Sequence, residues 1–266
     1  MSKALGILAI LSLIFVFLIV VAGSVVRVTG SGMGCPDWPR CFGRLIPPTD
    51  VDQVTWHPVQ DYSEGEMIIH DDALWTAKHD FVSASEFDED QWERYTVHDY
   101  AIYNPMHTWI EFMNRILAPT TGIPVFLLWI LSMVADWRRR KLHYAIWSTG
   151  VVLFMGFEAW LGKVVVEGNL IPGHISLHMA GTFVIIVFLL ILIYDLRERH
   201  VKTTTSGKFN ILLSALLLAM CCQMFFGTQV REEVDVLLRS GELGRDQVID
   251  LIGAKFYIHR SFSILL

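Results

Sequence analysis

The chain has 266 residues, 53% of them hydrophobic, a mean hydropathy of +0.45 and a formal net charge of −6. That is too apolar for a soluble domain and points to a lipid bilayer as the solvent for most of the chain. The acidic balance argues against nucleic acid as a partner.

The first segment, Ala4 to Val26, carries no charge. Its 23 residues, at about 1.5 Å per residue, span roughly 35 Å, enough to cross a hydrocarbon core of about 30 Å. It follows Met-Ser-Lys, but it exceeds a signal-peptide core of roughly 7–15 residues and has no small-x-small cleavage site before the next loop, so it reads as a retained membrane helix. Further apolar runs extend over Ile116 to Ala135, Leu142 to Phe157 (continuing past Glu158 to Gly162), Gly168 to Tyr194 and Phe209 to Val230. A sixth begins near Phe256 and is still apolar at Leu266. A helix starting at about Leu251 would be only halfway through a bilayer there, so the sequence is expected to continue. The expectation is an all-α membrane protein.

Between the first two runs lies a long loop, residues 30–104, with 15 acidic and 4 basic side chains, a net charge of −11. Asp136 to Lys141 and the stretch Leu196 to Lys208 are rich in Lys and Arg and fall on the side of Lys3, so the N-terminus is expected in the cytoplasm and the acidic loop outside. Trp38, Trp56, Trp75 and Trp92 suggest a folded cap there. Its acidity serves solvation, with docking of a basic partner the alternative, and His57, His70, His79 and His98 read as solvated surface. Cys35 and Cys41 bracket two prolines in an oxidising compartment, a spacing that admits a disulfide. Cys221 and Cys222, adjacent on a membrane helix, read as buried free thiols.

A weak internal repeat is present. Gly23 to Arg27 ends the first run as Gly227 to Arg231 ends the fifth, and the next helix carries Asn114-Arg115 in one case and His259-Arg260 in the other. A four-helix unit used twice accounts for this order.

Ionisable residues inside a membrane cost roughly 2.5–3.5 kcal/mol each and are functional candidates by default. Glu111 and Arg115 stand four apart in the order that favours an intrahelical ion pair, which would account for both without chemistry. The functional alternative is a carboxylate placed for proton transfer, with a guanidinium for an anionic group such as a haem propionate. His174 and His178 share one helix face, and His259 lies at a comparable depth. Imidazoles between bundle helices suit haem iron, and hydrogen bonding is the simpler role for them.

The segment Val25 to Gly43, with Arg27, Ser31, Gly32, Cys35, Trp38 and Cys41, resembles the first-helix and loop signature of the haem A synthase family. Glu111-x-x-Asn114-Arg115 resembles that family's Glu-x-x-His-Arg motif. Leu161-Gly162 with Val164-Val165, Leu170 to Gly173, His178-Met179 and His259-Arg260 resemble its later helices. The resemblance implies tandem four-helix bundles, eight helices in all with about five and a half in this sequence. The halves would be 1–205, holding substrate haem, and 206–266, the start of a haem b half. It further implies a Cys35–Cys41 pair, catalysis by Glu111 with Arg115, iron ligation by His178 and His259 (the partner of His259 lying beyond Leu266), and haem contacts from Arg27 and Arg260. The activity implied is oxidation of the C8 methyl of haem O to the formyl of haem A, in a bacterial plasma membrane, alongside haem O synthase and an electron donor.

Asn114 departs from the motif, because a neutral carboxamide cannot replace imidazole on iron. His107 is seven residues earlier, about 10 Å along the axis. Three alternatives stand open: His178 is the single protein ligand, His174 or a loop histidine substitutes, or the chain is not a synthase. A non-catalytic haem-binding assembly protein and a b-type electron-transfer cytochrome are the competing functions.

Overall fold

Backbone groups in a bilayer have no water to bond, so long apolar segments close their own hydrogen bonds as helices. The computed structural model describes residues 2–97, 103–140, 142–167, 174–197, 206–239 and 245–266. Its helices are α1 (Ser2–Thr29), α2 (Pro105–Arg139), α3 (His143–Glu167), α4 (His174–Leu196), α5 (Gly207–Arg239), α6 (Arg245–Ile252) and α7 (Ala254–Leu265). Among the described residues five stretches are long and apolar enough to cross a membrane: Ser2–Thr29, Pro105–Arg139, His143–Val164, Ser176–Leu196 and Gly207–Val234. The chain is a multi-pass, predominantly helical membrane protein.

Local chemistry sets the helix ends. Asn104 caps α2 by accepting from the backbone N–H groups of Met106 and His107, and Pro105 fills the first turn. At the other end Arg138 and Arg139 meet the carbonyl end of the helix dipole before Arg140 turns left-handed. The last helix departs from expectation. It does not begin near Leu251, because Gly253, at φ 60°, ends the short α6 and α7 starts at Ala254.

The described helices fall into two compact units, Met1–Leu170 with Gly181–Leu196, and Ile171–Ala180 with Arg197–Leu266. The first is built around Leu5, Ala9 and Val16 of α1, Val125, Leu128 and Ala135 of α2, Val151 of α3, and Ile185, Leu189 and Leu192 of α4. Without a hydrophobic difference between lipid and helix, close approach must supply the contact. Small residues allow it: Ala9, Ser12, Ser132 and Ala135 are buried, and Phe188 of α4 lies on Gly150 of α3. At the end of this unit that carries the loop between α2 and α3, Asp136 accepts the Ala145 N–H at 2.8 Å and His143 meets Asp195 at 2.6 Å. In the second unit, Val230 of α5 packs with Val248 and Ile252 of α6, and Glu233 pairs with Lys255.

The acidic loop is a folded cap with its own small sheets. Strands β2 (Met67–His70), β3 (Ala73–Ala77) and β5 (Trp92–Arg94) form an antiparallel sheet in the order β2-β3-β5, and β1 (Asp61–Tyr62) pairs with β4 (Phe81–Val82). Because successive strand side chains alternate faces, Met67 and Leu74 face a cluster with Cys35, Cys41, Phe42 and Val54. Ile68 and Ala77 face the other way, into a group made by Tyr62 and Trp92 with Trp56, Trp75, Phe81 and Phe87. The sheet therefore has two cores, and the first reaches α2 through Phe112. His57, His70 and His79 belong to the cap: His57 contacts Asp52, His70 stacks on Phe87 at 4.0 Å and His79 lies beside Phe81. His98 is outside the described residues.

Candidate functional site

Glu111 sits two turns into α2 and is 4% exposed. A carboxylate at that burial needs partners for both oxygens. Its Oε2 accepts the backbone N–H of Cys35 at 2.9 Å, and its Oε1 accepts Nε of Arg115 at 3.0 Å and is also met by Nη2. The ion pair expected from the four-residue spacing is formed, and a third element, the cysteine loop, joins it.

That loop is closed by a disulfide between Cys35 and Cys41. Arg115 holds it from below. Nη1 donates to the carbonyls of Asp37 at 2.5 Å and Arg40 at 3.1 Å, and Nη2 donates to the carbonyl of Cys35 at 3.2 Å. A guanidinium has five N–H groups, and with the two contacts to Glu111 all five are directed at protein oxygens. The loop is further pinned where Thr108 Oγ1 donates to the Gly34 carbonyl at 2.8 Å. Gly34 is required there, since a Cβ would lie 2.5 Å from the carbonyl carbon and oxygen of His107. Tyr95 donates to the Pro36 carbonyl at 2.6 Å, and Lys163 of α3 stands 5.9 Å over the Trp38 ring.

Asp37 is a partner that the sequence did not single out. Its carboxylate accepts the N–H groups of Phe42 at 2.7 Å and Gly43 at 2.9 Å, closing the turn around the disulfide. Burial pushes its carboxyl above the ordinary range, against the opposing pull of those two N–H groups and of Arg115. No residue type marks this in advance, since the partners are backbone N–H groups that every residue but proline carries.

Asn114 lies on α2 between the two members of the ion pair. Its Oδ1 is buried with no hydrogen-bond partner among the described residues, and it faces Gly23 of α1. Arg27 is in the last turn of α1 and half-buried.

In the second unit, His259 of α7 lies against α5. A Cβ at Gly227 would be 2.7 Å from Cε1 of its ring, so the imidazole occupies the space a side chain there would fill. Gln223, one turn earlier on α5, donates Nε2 to the His259 carbonyl at 2.9 Å. The Nδ1 of His259 is buried without a hydrogen-bond partner among the described residues. Arg260 is exposed. His178 is half-buried on α4, two residues from Ser176, which donates to Thr228 at 2.7 Å. His174 is the first residue of α4, and its side chain is outside the described residues.

A further buried carboxylate interrupts the apolar run of α3. Glu158 of α3 accepts from Thr182 at 3.4 Å, and its Oε1 fills the space beside Gly181. A single charge inside a membrane span is itself the signal that finds such a residue.

Residues 6–70 and 54–266 match the cytochrome oxidase assembly protein family, COX15-CtaA. A protein of Shewanella oneidensis named Heme A synthase is 27% identical over 207 residues, which is 78% of this chain and 50% of that relative. One of Bacillus licheniformis, also named Heme A synthase, is 35% identical over 81 residues, 29% of this chain and 26% of the relative. This chain therefore spans about half the length of the Shewanella protein that it matches. No solved structure matches it. With nearly its whole length matched, the chain belongs to the cytochrome oxidase assembly protein family.

Proposed function

We propose that the chain acts as a haem A synthase, oxidising the C8 methyl group of haem O to a formyl group by successive hydroxylations. The observation that carries this reading is the buried Glu111 carboxylate, held by Arg115 and the Cys35 N–H at the end of a membrane helix beneath a disulfide-closed loop. The names of the two relatives support it.

In this reading haem supplies both the substrate methyl group and redox-active iron. Glu111 is the proton acceptor beside the methyl group, and Arg115 positions it. Residues 1–205 form the substrate half, with His178 as iron ligand, and 206–266 begin a haem b half with His259 as ligand. What supports His259 as a ligand is its Nδ1, buried with no hydrogen-bond partner among the described residues. His174 is the reserve ligand of the substrate half. Arg27 and Arg260 are the guanidinium groups assigned to haem propionates. The long cap faces the outside of a bacterial plasma membrane with the N-terminus in the cytoplasm, near haem O synthase and an electron donor.

The test is mass spectrometry of haems extracted from cells that make haem O with and without this chain. Haem A, or its hydroxymethyl precursor, is expected only with the chain. Haem O as the sole product would refute the assignment. A non-catalytic haem-binding assembly protein is the second reading, favoured by the complete engagement of Glu111 in protein contacts. It predicts bound haem, no product, and unchanged function on Glu111→Gln even where stability falls.

A further inference from the structure

Within the first unit, where α2 turns into α3, a recess of about 500 Å³ is lined by Met133, Asp136, Trp137, Arg140, Leu142 and Ala145. Its depth in the bilayer follows from the sequence. The charge-free run Ile116 to Ala135 stops one residue before Asp136, and Leu142 opens the next run, so the recess stands at the edge of the hydrocarbon layer. Trp137 is 87% exposed there, the position an aromatic side chain takes at a membrane–water interface.

Asp136 is 2% exposed. Its Oδ2 accepts the Ala145 N–H at 2.8 Å, while its Oδ1 is buried with no hydrogen-bond partner among the described residues. A buried carboxylate oxygen in that state carries a desolvation cost that a cationic donor would offset. Two neighbouring cations are committed elsewhere. Arg139 donates to the Tyr144 hydroxyl at 3.4 Å and lies 5.7 Å from its ring centroid, and His143 meets Asp195 at 2.6 Å. Arg140, four residues after Asp136, lines the recess and is exposed. Its guanidinium has no hydrogen bond or ion pair among the described residues.

We propose that this recess binds the headgroup of a phospholipid carrying a primary ammonium, of the phosphatidylethanolamine class. The ammonium meets Oδ1 of Asp136, the phosphate meets Arg140, and the acyl chains run along Met133, Trp137 and Leu142. A primary ammonium brings three N–H donors to the carboxylate, and a guanidinium suits phosphate. A choline headgroup has no N–H to give, and a glycerol headgroup brings no cation to Asp136. One carboxylate beside one guanidinium therefore selects the zwitterion with N–H donors. This site is independent of the haem reading.

The test is native mass spectrometry of the whole chain in detergent. Phosphatidylethanolamine, its mono-, di- and trimethylated forms and phosphatidylglycerol compete in equal amounts, all with the same acyl chains. Phosphatidylethanolamine should be retained about tenfold over the trimethylated lipid, the equivalent of about 1.4 kcal/mol, with the intermediate forms between them. Asp136→Asn keeps a carbonyl for the Ala145 N–H and should abolish that preference. Arg140→Gln, at an exposed position, should weaken retention of every phospholipid alike and leave the melting of delipidated protein unchanged. The methylation series needs no substitution, so it decides the matter even if Asp136→Asn does not fold. Equal retention across the series, or a preference that survives Asp136→Asn, would overturn the proposal. Stronger retention of phosphatidylglycerol would also overturn it, because the arginines alone would then be drawing an anionic lipid.

Discussion

Removing the guanidinium of Arg115 while keeping much of the side chain's apolar bulk, by Arg115→Leu, tests the claim that Arg115 is a principal tie between the cap and the membrane helices. The side chains of Arg115 and Glu111 are 12% and 5% exposed, so the pair is buried and solvent screening is weak. Losing one partner of a buried pair costs about 3–5 kcal/mol, because the other charge is left without compensation. Glu111 would keep only the Cys35 N–H, and the carbonyls of Cys35, Asp37 and Arg40 would lose their donors. At about 2–4 °C per kcal/mol for a chain of this size, the melting temperature should fall by about 6–20 °C. Thermal unfolding in detergent, followed by tryptophan fluorescence, measures this directly, since Trp38 is in the clamped loop. The double variant Arg115→Leu with Glu111→Leu should be less destabilised than the sum of the two single variants, because the stranded charge is gone. A single-variant loss below about 1 kcal/mol, or strict additivity in the pair, would show that the clamp is not what holds the loop.

Reducing the Cys35–Cys41 bond, or replacing both residues with alanine, should cost about 2–3 kcal/mol for so short a loop, read as a lower urea midpoint for the cap. Gly34→Ala would drive a Cβ onto the His107 carbonyl, backbone against backbone, so faster proteolysis of the loop is expected; wild-type resistance would count against the packing described. Asp37, whose carboxyl is raised by burial, favours the folded cap fully below the ordinary aspartate pKa, and that contribution disappears as pH rises through the folded value. Asp37→Asn should therefore flatten the fall in melting temperature on raising the pH from acid towards neutral, and an unchanged slope would contradict the assignment. Gly181→Ala should clash with the Glu158 carboxylate, and adding Glu158→Ala should restore stability in thermal melts, because the obstruction is the end of a side chain.

What the sequence made legible followed from rules that act over a few residues. Charge-free runs became α1 to α5 because the bilayer leaves the backbone no other choice. Glu111 and Arg115 met because four residues make one helical turn. The strands of the cap were not legible, since β1 and β4 are two residues long and β5 three, too short to carry a period-two signal. Nor was the break at Gly253, where a single positive φ outweighs an apolar run. The targets of Arg115 lie 75 to 80 residues away at Cys35, Asp37 and Arg40, and they are backbone carbonyls, so no residue type marks them in advance.

Arg115 and Arg260, which the sequence pairs as members of one weak repeat, meet different surroundings. Arg115 and Arg260 follow equivalent residues, so a single role for both would be the economical reading. In the first copy a disulfide-closed loop presents three carbonyls within reach of the guanidinium, and a buried carboxylate takes the remaining N–H groups. An anion arriving at Arg115 would have to displace those contacts and strand Glu111. In the second copy the connection between α5 and α7 carries no cysteine pair, position 256 is Phe rather than a second Glu111, and Arg260 is exposed. An anionic group would meet no such competition there. Arginine that has been recruited to hold a loop cannot also serve a ligand, so Arg115→Lys should damage the cap first, while Arg260→Leu should weaken haem retention and leave the melting of the cap unchanged. Equal effects of the two substitutions on haem retention, with no effect of either on the cap, would show that the copies have not diverged in this way.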